Sequence, residues 1–291
     1  MKLSACLIVK NEKDHIETVL NSLEGFDEII VCDTGSTDNT VEIAKRFTSK
    51  VYTDYTWNDD FAEARNHALS KCTGDWVLSI DADEVLEEGG LDKIREIIAS
   101  ATEHQFHFSV HMTAEKTGQT HTLPRVFRNN GLVRWVGSAH ETLHPIQKNA
   151  TDIVITYGYS TAHELDPDRM MRILEKSVKS DKVTPRDLYY HAREFYYRGD
   201  YEASGKRFED YVAVATWIPE KADALLYIAR GYFQLQRGNE AREICREAIM
   251  LNPDFKEALS FMAELHFEPW KHKWERLASA ATNEDVLFVR T

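Results

Sequence analysis

Over residues 1–110, short apolar runs alternate with stretches whose apolar residues recur every three or four positions, as expected of strands separated by helices. Leu3–Val9 reads as a first strand and His15–Leu23 as a helix. Glu28–Cys32 gives a second strand and Asn39–Phe47 the next helix, while Lys50–Tyr52 is a short third strand. Phe61–Cys72 is helical through Phe61, Ala64, Ala68, Leu69 and Cys72. Trp76–Ile80 is a fourth strand, and a helix follows around Leu91–Ile98. Strands joined through such helices predict an α/β fold with a mostly parallel sheet covered on both faces. Ligands of these sheets bind beyond the carboxyl ends of the strands.

From about residue 104 to 160 the pattern changes. His104–His111, Thr122–Phe127 and Asp152–Tyr157 read as strands, with Trp135–His144 a turn-rich connection, so the sheet is expected to continue as a mixed extension. Beyond Asp166 the chain reads as helical almost throughout. Pro167–Lys179 is a linking helix. Two helix pairs follow, Leu188–Tyr197 with Tyr201–Val214 and Ala222–Leu235 with Glu240–Leu251, turning at Arg198-Gly199-Asp200 and Arg237-Gly238-Asn239; Pro253 opens another helix through Ala263. Repeating hairpins of this size complete one another's core, as in a short solenoid. Ala192, Phe195, Gly199, Tyr201 and Phe208, then Gly231, Gly238, Ala248 and Pro253, match positions of tetratricopeptide repeats. The expected division is residues 1–165 as an α/β domain and 166–291 as a helical one. The helical part serves as a buttress, as an acceptor scaffold or as a homodimer surface.

A formal charge of -13 disfavours nonspecific attraction to nucleic acid or anionic membrane. Cys6, Cys32, Cys72 and Cys245 lack CxxC spacing and read as reduced core residues of a cytosolic (cytoplasmic) protein. The apolar N-terminal run is too short for a signal peptide or a membrane span and is interrupted by Lys10-Asn11-Glu12.

Candidate chemistry gathers where the strands end. Asp81-Ala82-Asp83-Glu84 directly follows the apolar run Trp76–Ile80. Carboxylates closely spaced after a buried strand can hold a hard cation such as Mn²⁺ or Mg²⁺ against the phosphates of a nucleotide diphosphate. Asp83 is the direct ligand in this reading, Asp81 lies on ribose or reaches the metal through water, and Glu84 caps the next segment. Val9-Lys10-Asn11-Glu12 ends strand one and Asp33-Thr34-Gly35-Ser36-Thr37-Asp38-Asn39-Thr40 ends strand two. Asp33 is placed to accept from a base N–H, or the segment is only a well-capped turn, with Ser36, Thr37 or Asp38 capping the helix. Arg65 sits among small and apolar residues, where an unpaired guanidinium would be costly. Its partner is either a carboxylate, Asp33 or Asp81, or a pyrophosphate. In Gly137-Ser138-Ala139-His140-Glu141, Glu141 is either a general base for an acceptor hydroxyl or a solvated loop acid. His163 is either a third metal ligand or a surface or capping histidine.

Val9-Lys10-Asn11-Glu12, Glu28–Thr40, Phe61-Ala62-Glu63-Ala64-Arg65-Asn66 and Asp75–Glu84, in this order, resemble glycosyltransferase family 2. The branch most similar contains bacterial lipopolysaccharide-core transferases and peptide S-glycosyltransferases, often fused to tetratricopeptide repeats. The resemblance covers residues 1–165 and, more loosely, the helical tail. It implies a GT-A fold, a nucleotide-sugar donor (UDP-linked by this resemblance), Mn²⁺ or Mg²⁺, and inversion at the anomeric carbon. On this analogy the donor lies against Val9, Asn11, Glu12, Asp33, Arg65, Asp81 and Ala82. Asp33 is on the nucleobase, Asp83 on the metal, and Glu141 is the base. Relatives often carry a histidine just before the Gly-Tyr pair, where this chain has Tyr157 before Gly158-Tyr159, so either His163 takes over or fewer protein ligands hold the metal.

The acceptor is open: a lipid-linked or core glycan, a peptide or protein side chain, or, against the acidic balance, a modified base in nucleic acid. Two other readings compete. A nucleotidyltransferase would need a glycine- and basic-rich phosphate loop, which Lys10-Asn11-Glu12-Lys13 does not provide. A non-catalytic repeat-based adaptor with a degenerate transferase domain would not be expected to retain every carboxylate.

Overall fold

The computed structural model describes residues 1–147, 149–158 and 166–281. They fall into two compact units, the first spanning Met1–Arg169 and the second beginning at Met170.

In the first unit, β1 (Leu3–Val9), β2 (Glu28–Asp33), β3 (Val51–Tyr52) and β4 (Trp76–Ser79) run parallel, linked through α1 (Ile16–Ser22), α2 (Thr40–Ala44) and α3 (Phe61–Leu69). β5 (Glu84–Leu86) and α4 (Gly90–Ser100) follow. Then come β6 (His107–Ala114), β7 (Thr120–Arg128), the hairpin β8 (Arg134–Val136) and β9 (Thr142–His144), and β10 (Ala150–Tyr157). The eight-stranded sheet has the order β3-β2-β1-β4-β7-β6-β10-β5. β7 is antiparallel to β4 and β6, β6 is parallel to β10, and β5 closes the edge antiparallel to β10. The sheet is therefore α/β and mixed, as the periodicity predicted.

β1 and β4 bury Leu3, Leu7, Trp76 and Leu78 on one face and Cys6 and Val77 on the other, which explains their largely apolar runs: both faces of these strands are covered. At the amino edge, Glu28 accepts from Ser4 Oγ at 2.5 Å, from Thr73 N at 2.7 Å and from Lys50. Burial would raise this carboxyl, but those donors hold it well below the usual range. Next to it Gly74 passes so close to β1 that a Cβ would stand 2.6 Å from Ser4 Oγ and 2.8 Å from Ser4 N. No larger residue fits there without moving the backbone.

Three local differences from the periodicity have physical causes. Residues 135–144 are not merely turn-rich: Arg134–Val136 pairs with Thr142–His144 as a small separate sheet. β5 is three residues long, too short for a period to register. α2 is confined to Thr40–Ala44, with Asp38 Oδ1 accepting from Thr40 N at 3.0 Å to close its amino end. All four cysteines are buried free thiols. No helix among the described residues is long and apolar enough to cross a membrane.

In the second unit, α5 (Arg169–Val178, its first residue belonging to the first unit) leads to α6 (Pro185–Tyr197), α7 (Tyr201–Val214), α8 (Ile218–Gln234), α9 (Gly238–Leu251), α10 (Lys256–Glu264) and α11 (Trp270–Ala280). Thr184 and Asp187 form a capping box at the start of α6, with Pro185 in the first turn. The repeat is visible in the helix ends. Asp200 N donates to Phe195 O at 3.0 Å, and Arg237 N to Tyr232 O at 2.8 Å, both with a left-handed residue just before. That residue is Gly199 in the first hairpin but Gln236 in the second. Gly238, which the sequence places in the turn, is instead the first residue of α9. Pro253 likewise precedes α10 by three positions.

Two buried titratable groups in this unit oppose one another. Burial pushes Asp223 up to about 7, although it accepts from the Tyr189 hydroxyl, and burial with nearby Arg207 pulls His191 down to about 4. For Asp223 the stability is full below its ordinary pKa of 3.8 and is lost as pH rises toward 7. For His191 the stability is full above 6.5 and is lost as pH falls toward 4. Each is worth up to about 3–4 kcal/mol, so the two nearly cancel in the intact chain. Denaturant unfolding between about pH 4 and 7 is expected to show stability rising with pH in Asp223→Asn and falling with pH in His191→Leu. Parallel profiles for the two variants would contradict this.

Candidate active site

The carboxyl ends of β1, β2 and β4 meet at one rim. Val9 and Asp33 are direct neighbours in the sheet, and Ser79 stands opposite Cys6. The loops beyond β1 and β2 are stitched together: Asn11 N donates to Ser36 Oγ at 2.9 Å, Thr37 N to Asn11 Oδ1 at 2.7 Å, and Glu12 N to Thr40 Oγ1 at 2.8 Å. Asn11 itself is left-handed, at φ 57°. Asp33 is buried and turned onto its own loop, accepting from Gly35 N at 3.0 Å and Ser36 N at 3.1 Å. Gly35 takes a φ of 108°, which only glycine adopts without strain. Asp33 and Asn11 thus build the platform at this end of the sheet.

Beyond β4 the motif Asp81–Glu84 forms a tight turn. Glu84 N donates to Asp81 O at 3.1 Å, and Asp81 N returns a bond to Glu84 Oε2 at 2.8 Å. Asp83 occupies the third position of the turn, partly exposed. Its carbonyl accepts from Gly158 N at 3.1 Å, which fixes the turn to the end of β10. Ala82 is buried in the core. His163 lies outside the described residues.

A ladder of charges runs through the site. Arg65, on the buried face of α3, places Nη1 2.7 Å from Asp81 Oδ1 and Nε 2.5 Å from Glu141 Oε1, with its guanidinium 5.1 Å from the ring centre of Trp135. Arg125 Nη2 lies 3.1 Å from Asp81 Oδ2 and also contacts Glu84 Oε1. The order is Glu141–Arg65–Asp81–Arg125–Glu84. The Arg65 and Arg125 side chains are only 9% and 6% exposed, so these pairs are held in a medium that strengthens them and punishes loss of a partner. Burial alone would push Asp81 up, but the two guanidiniums hold it well below the usual carboxylate range. Glu84 moves the opposite way: burial and the charge of Asp81 raise it, and Arg125 only partly offsets them.

α3 positions Glu141 by more than this ion pair. Asp60 caps the helix by accepting from Glu63 N at 2.8 Å and also accepts from Ser138 Oγ at 2.8 Å, while Phe61 N donates to Ser138 O. Asn66 exchanges two hydrogen bonds with the backbone of Trp135, at 2.9 and 3.0 Å. Left-handed Gly137 and His140 let the β8–β9 connection fold back so that Glu141 faces Arg65.

Of the residues singled out in the sequence, the structure brings Arg65, Asp81 and Glu141 into direct contact and sets Asp83 two residues from Asp81 at the rim. Val9, Asn11, Glu12 and Asp33 form the neighbouring edge. The partner of Arg65 is the Asp81 carboxylate, together with Glu141. Glu84 does more than cap: it closes the turn and grips Arg125. Arg125 itself was not anticipated.

Among the described residues, no group of three or more His, Cys, Asp or Glu side chains could hold a metal ion by itself. Asp83 and Asp81 supply one or two carboxylates, the donor set Mg²⁺ uses when substrate phosphates and water complete its shell. The residues fit a divalent ion that arrives with a diphosphate.

A mixed sheet with acids and arginines gathered at its carboxyl rim defines an α/β domain with a buried charged site. Residues 4–161 match the family described as glycosyl transferase family 2, and the chain belongs to that family. Its sheet followed by helices is the GT-A arrangement with a helical extension. The chain is 37% identical over 144 residues to a TPR repeat-containing protein of Synechococcus elongatus, covering 48% of this chain and 35% of that one. It is 31% identical over 207 residues to the SPbeta prophage-derived glycosyltransferase SunS of Bacillus subtilis, covering 65% of this chain and 48% of that one. The chain therefore spans about a third to a half of the length of these relatives. Among solved structures it is similar to S. aureus TarS 1–349 in complex with UDP, with a TM-score of 0.47 and 16% identity over 88% of this chain and 92% of that one.

Proposed function

We propose that the protein is an inverting glycosyltransferase that moves a sugar from a nucleotide-sugar, UDP-linked, to an acceptor nucleophile with the help of a divalent cation. The observation that carries this reading is the join of Glu141 to Asp81 through Arg65, two residues from Asp83, at the rim where Val9 and Asp33 pair. Family membership supports it.

In this reading the donor base lies against Val9, Asn11, Glu12 and Asp33, and the diphosphate reaches the Asp81–Glu84 turn. Asp83 is the carboxylate that would hold Mn²⁺ or Mg²⁺, with His163 the further ligand proposed from the sequence. When bound, the cation supplies positive charge against the departing diphosphate. Arg65 fixes Glu141 through Oε1, and the other carboxylate oxygen takes the acceptor's proton as the nucleophile attacks. Single displacement inverts the anomeric carbon. The acceptor class is a glycan or a peptide side chain.

The test is a thermal-shift panel of nucleoside diphosphates and nucleotide-sugars with Mn²⁺ or Mg²⁺. A ligand at about 100 times its Kd adds about 2.7 kcal/mol of stability. UDP and one or more UDP-sugars are expected to raise the melting temperature in a metal-dependent way. No shift with any nucleotide would reject the reading in favour of a non-catalytic adaptor.

A further inference from the structure

Arg125 is the residue the extra position in β7 exists to aim. Phe108 pairs with Val126 but Ser109 pairs with Pro124, so Arg125 is the unmatched residue of a β-bulge. Bulges of this kind re-aim one side chain and recur next to active sites. Here the guanidinium is buried under the carboxyl rim, where a single nitrogen, Nη2, spans Asp81 Oδ2 and Glu84 Oε1. Asp81 stands partly exposed at the rim, its side chain 28% accessible. With Arg65 on one oxygen and Arg125 on the other, the carboxylate plane is locked and only the outward lone pairs can meet a ligand.

The two arginines divide the work. Arg65 reaches Asp81 through Nη1 and Glu141 through Nε, so it links the rim to the proposed base. Arg125 contacts Asp81 and Glu84 on either side of Asp83 and makes no contact with Glu141. We propose that Arg125 is a positioning residue for the donor: by fixing Asp81 and Glu84 it sets the Asp81–Glu84 turn that receives the nucleoside diphosphate, without acting on acceptor activation. The proposal rests on the glycosyltransferase reading above and deepens it.

A chemical asymmetry follows from the contacts. One lysine ammonium can replace Nη2, because that one nitrogen serves both acids. It cannot replace Arg65, whose two partners sit on different nitrogens of the planar fork.

The experiment measures UDP affinity by calorimetry, donor KM, kcat at saturating donor, and the melting temperature of the ligand-free protein, for the full chain and for R125M, R125K and R65K. Loss of a residue that orients a ligand-contacting group costs about 10–100-fold in affinity or activity. R125M is expected to raise both UDP Kd and donor KM about 10-fold or more, with kcat changed less than about 3-fold. R125K is expected to recover most of that affinity, while R65K loses kcat. R125Q, which removes the charge but keeps an amide NH₂ donor, carries the same comparison where R125M does not fold. Unchanged UDP affinity in R125M, or kcat falling as far as KM rises, overturns the proposal. A wild-type chain that binds no nucleoside diphosphate overturns the glycosyltransferase reading itself, a result distinct from a wild type that binds and a variant that binds equally well.

Discussion

Glu141→Gln is expected to lower kcat by about 10²–10⁴-fold, the range for loss of a general base, while UDP affinity stays within about 3-fold of wild type. The substitution is nearly isosteric. A glutamine Oε1 can still accept from Arg65 Nε, so Asp81 and the β8–β9 connection keep their places. What disappears is the negative charge proposed to receive the acceptor's proton. The Arg65 pair holds the carboxylate in one orientation. Steady-state kinetics with calorimetry separates the alternatives: equal loss of donor binding and turnover would make Glu141 a structural partner of Arg65. The arginine offers a contrast. Arg65→Ala would leave two carboxylates in a site only about one-tenth exposed at Glu141, a loss of about 3–5 kcal/mol in stability.

Asp83→Asn is expected to act on the other side of the reaction. A metal that neutralises a leaving diphosphate contributes several kcal/mol to the transition state, equivalent to about 10²–10³ in rate. The variant is expected to lose that factor in kcat/KM and to lose the metal dependence of UDP binding. Asp83 occupies the third position of a turn whose backbone bonds come from Glu84 and Gly158. Titration of UDP with and without Mn²⁺ checks this. Metal-dependent affinity that survives intact would remove Asp83 from the metal.

Much of the first unit was legible because its strands are buried on both faces and its helices are not. Leu3–Val9 is apolar except for Ser4, and Trp76–Leu78 is apolar throughout, for that reason, and the chemistry sits where those runs stop. Arg65 was visible by the same logic, as a guanidinium in a helix face otherwise made of Ala62, Ala64 and Ala68. Arg125 carried a comparable signal, an arginine between Pro124 and the apolar pair Val126-Phe127. The bulge hid it. An extra residue breaks the alternation of β7, so Arg125, Val126 and Phe127 are buried in succession and no period marks which face the arginine occupies.

The pairing of residues 134–136 with 142–144 was also beyond the pattern. Three-residue strands carry too few positions to show a period, and their place is set by Asn66 and Asp60 on a distant helix. In the helical unit the repeat itself was legible but its register was not. The turn expected at Arg237-Gly238-Asn239 is made instead around left-handed Gln236, with Arg237 N donating to Tyr232 O.

A crystal of the full chain soaked with UDP and MnCl₂, with anomalous data collected for manganese, addresses the whole scheme in one step. The expected result is a manganese peak coordinated by Asp83 and the diphosphate, with the uracil beyond the neighbouring ends of β1 and β2. A nucleotide bound elsewhere, or bound at this rim with Asp83 turned from it and no manganese peak, would contradict it.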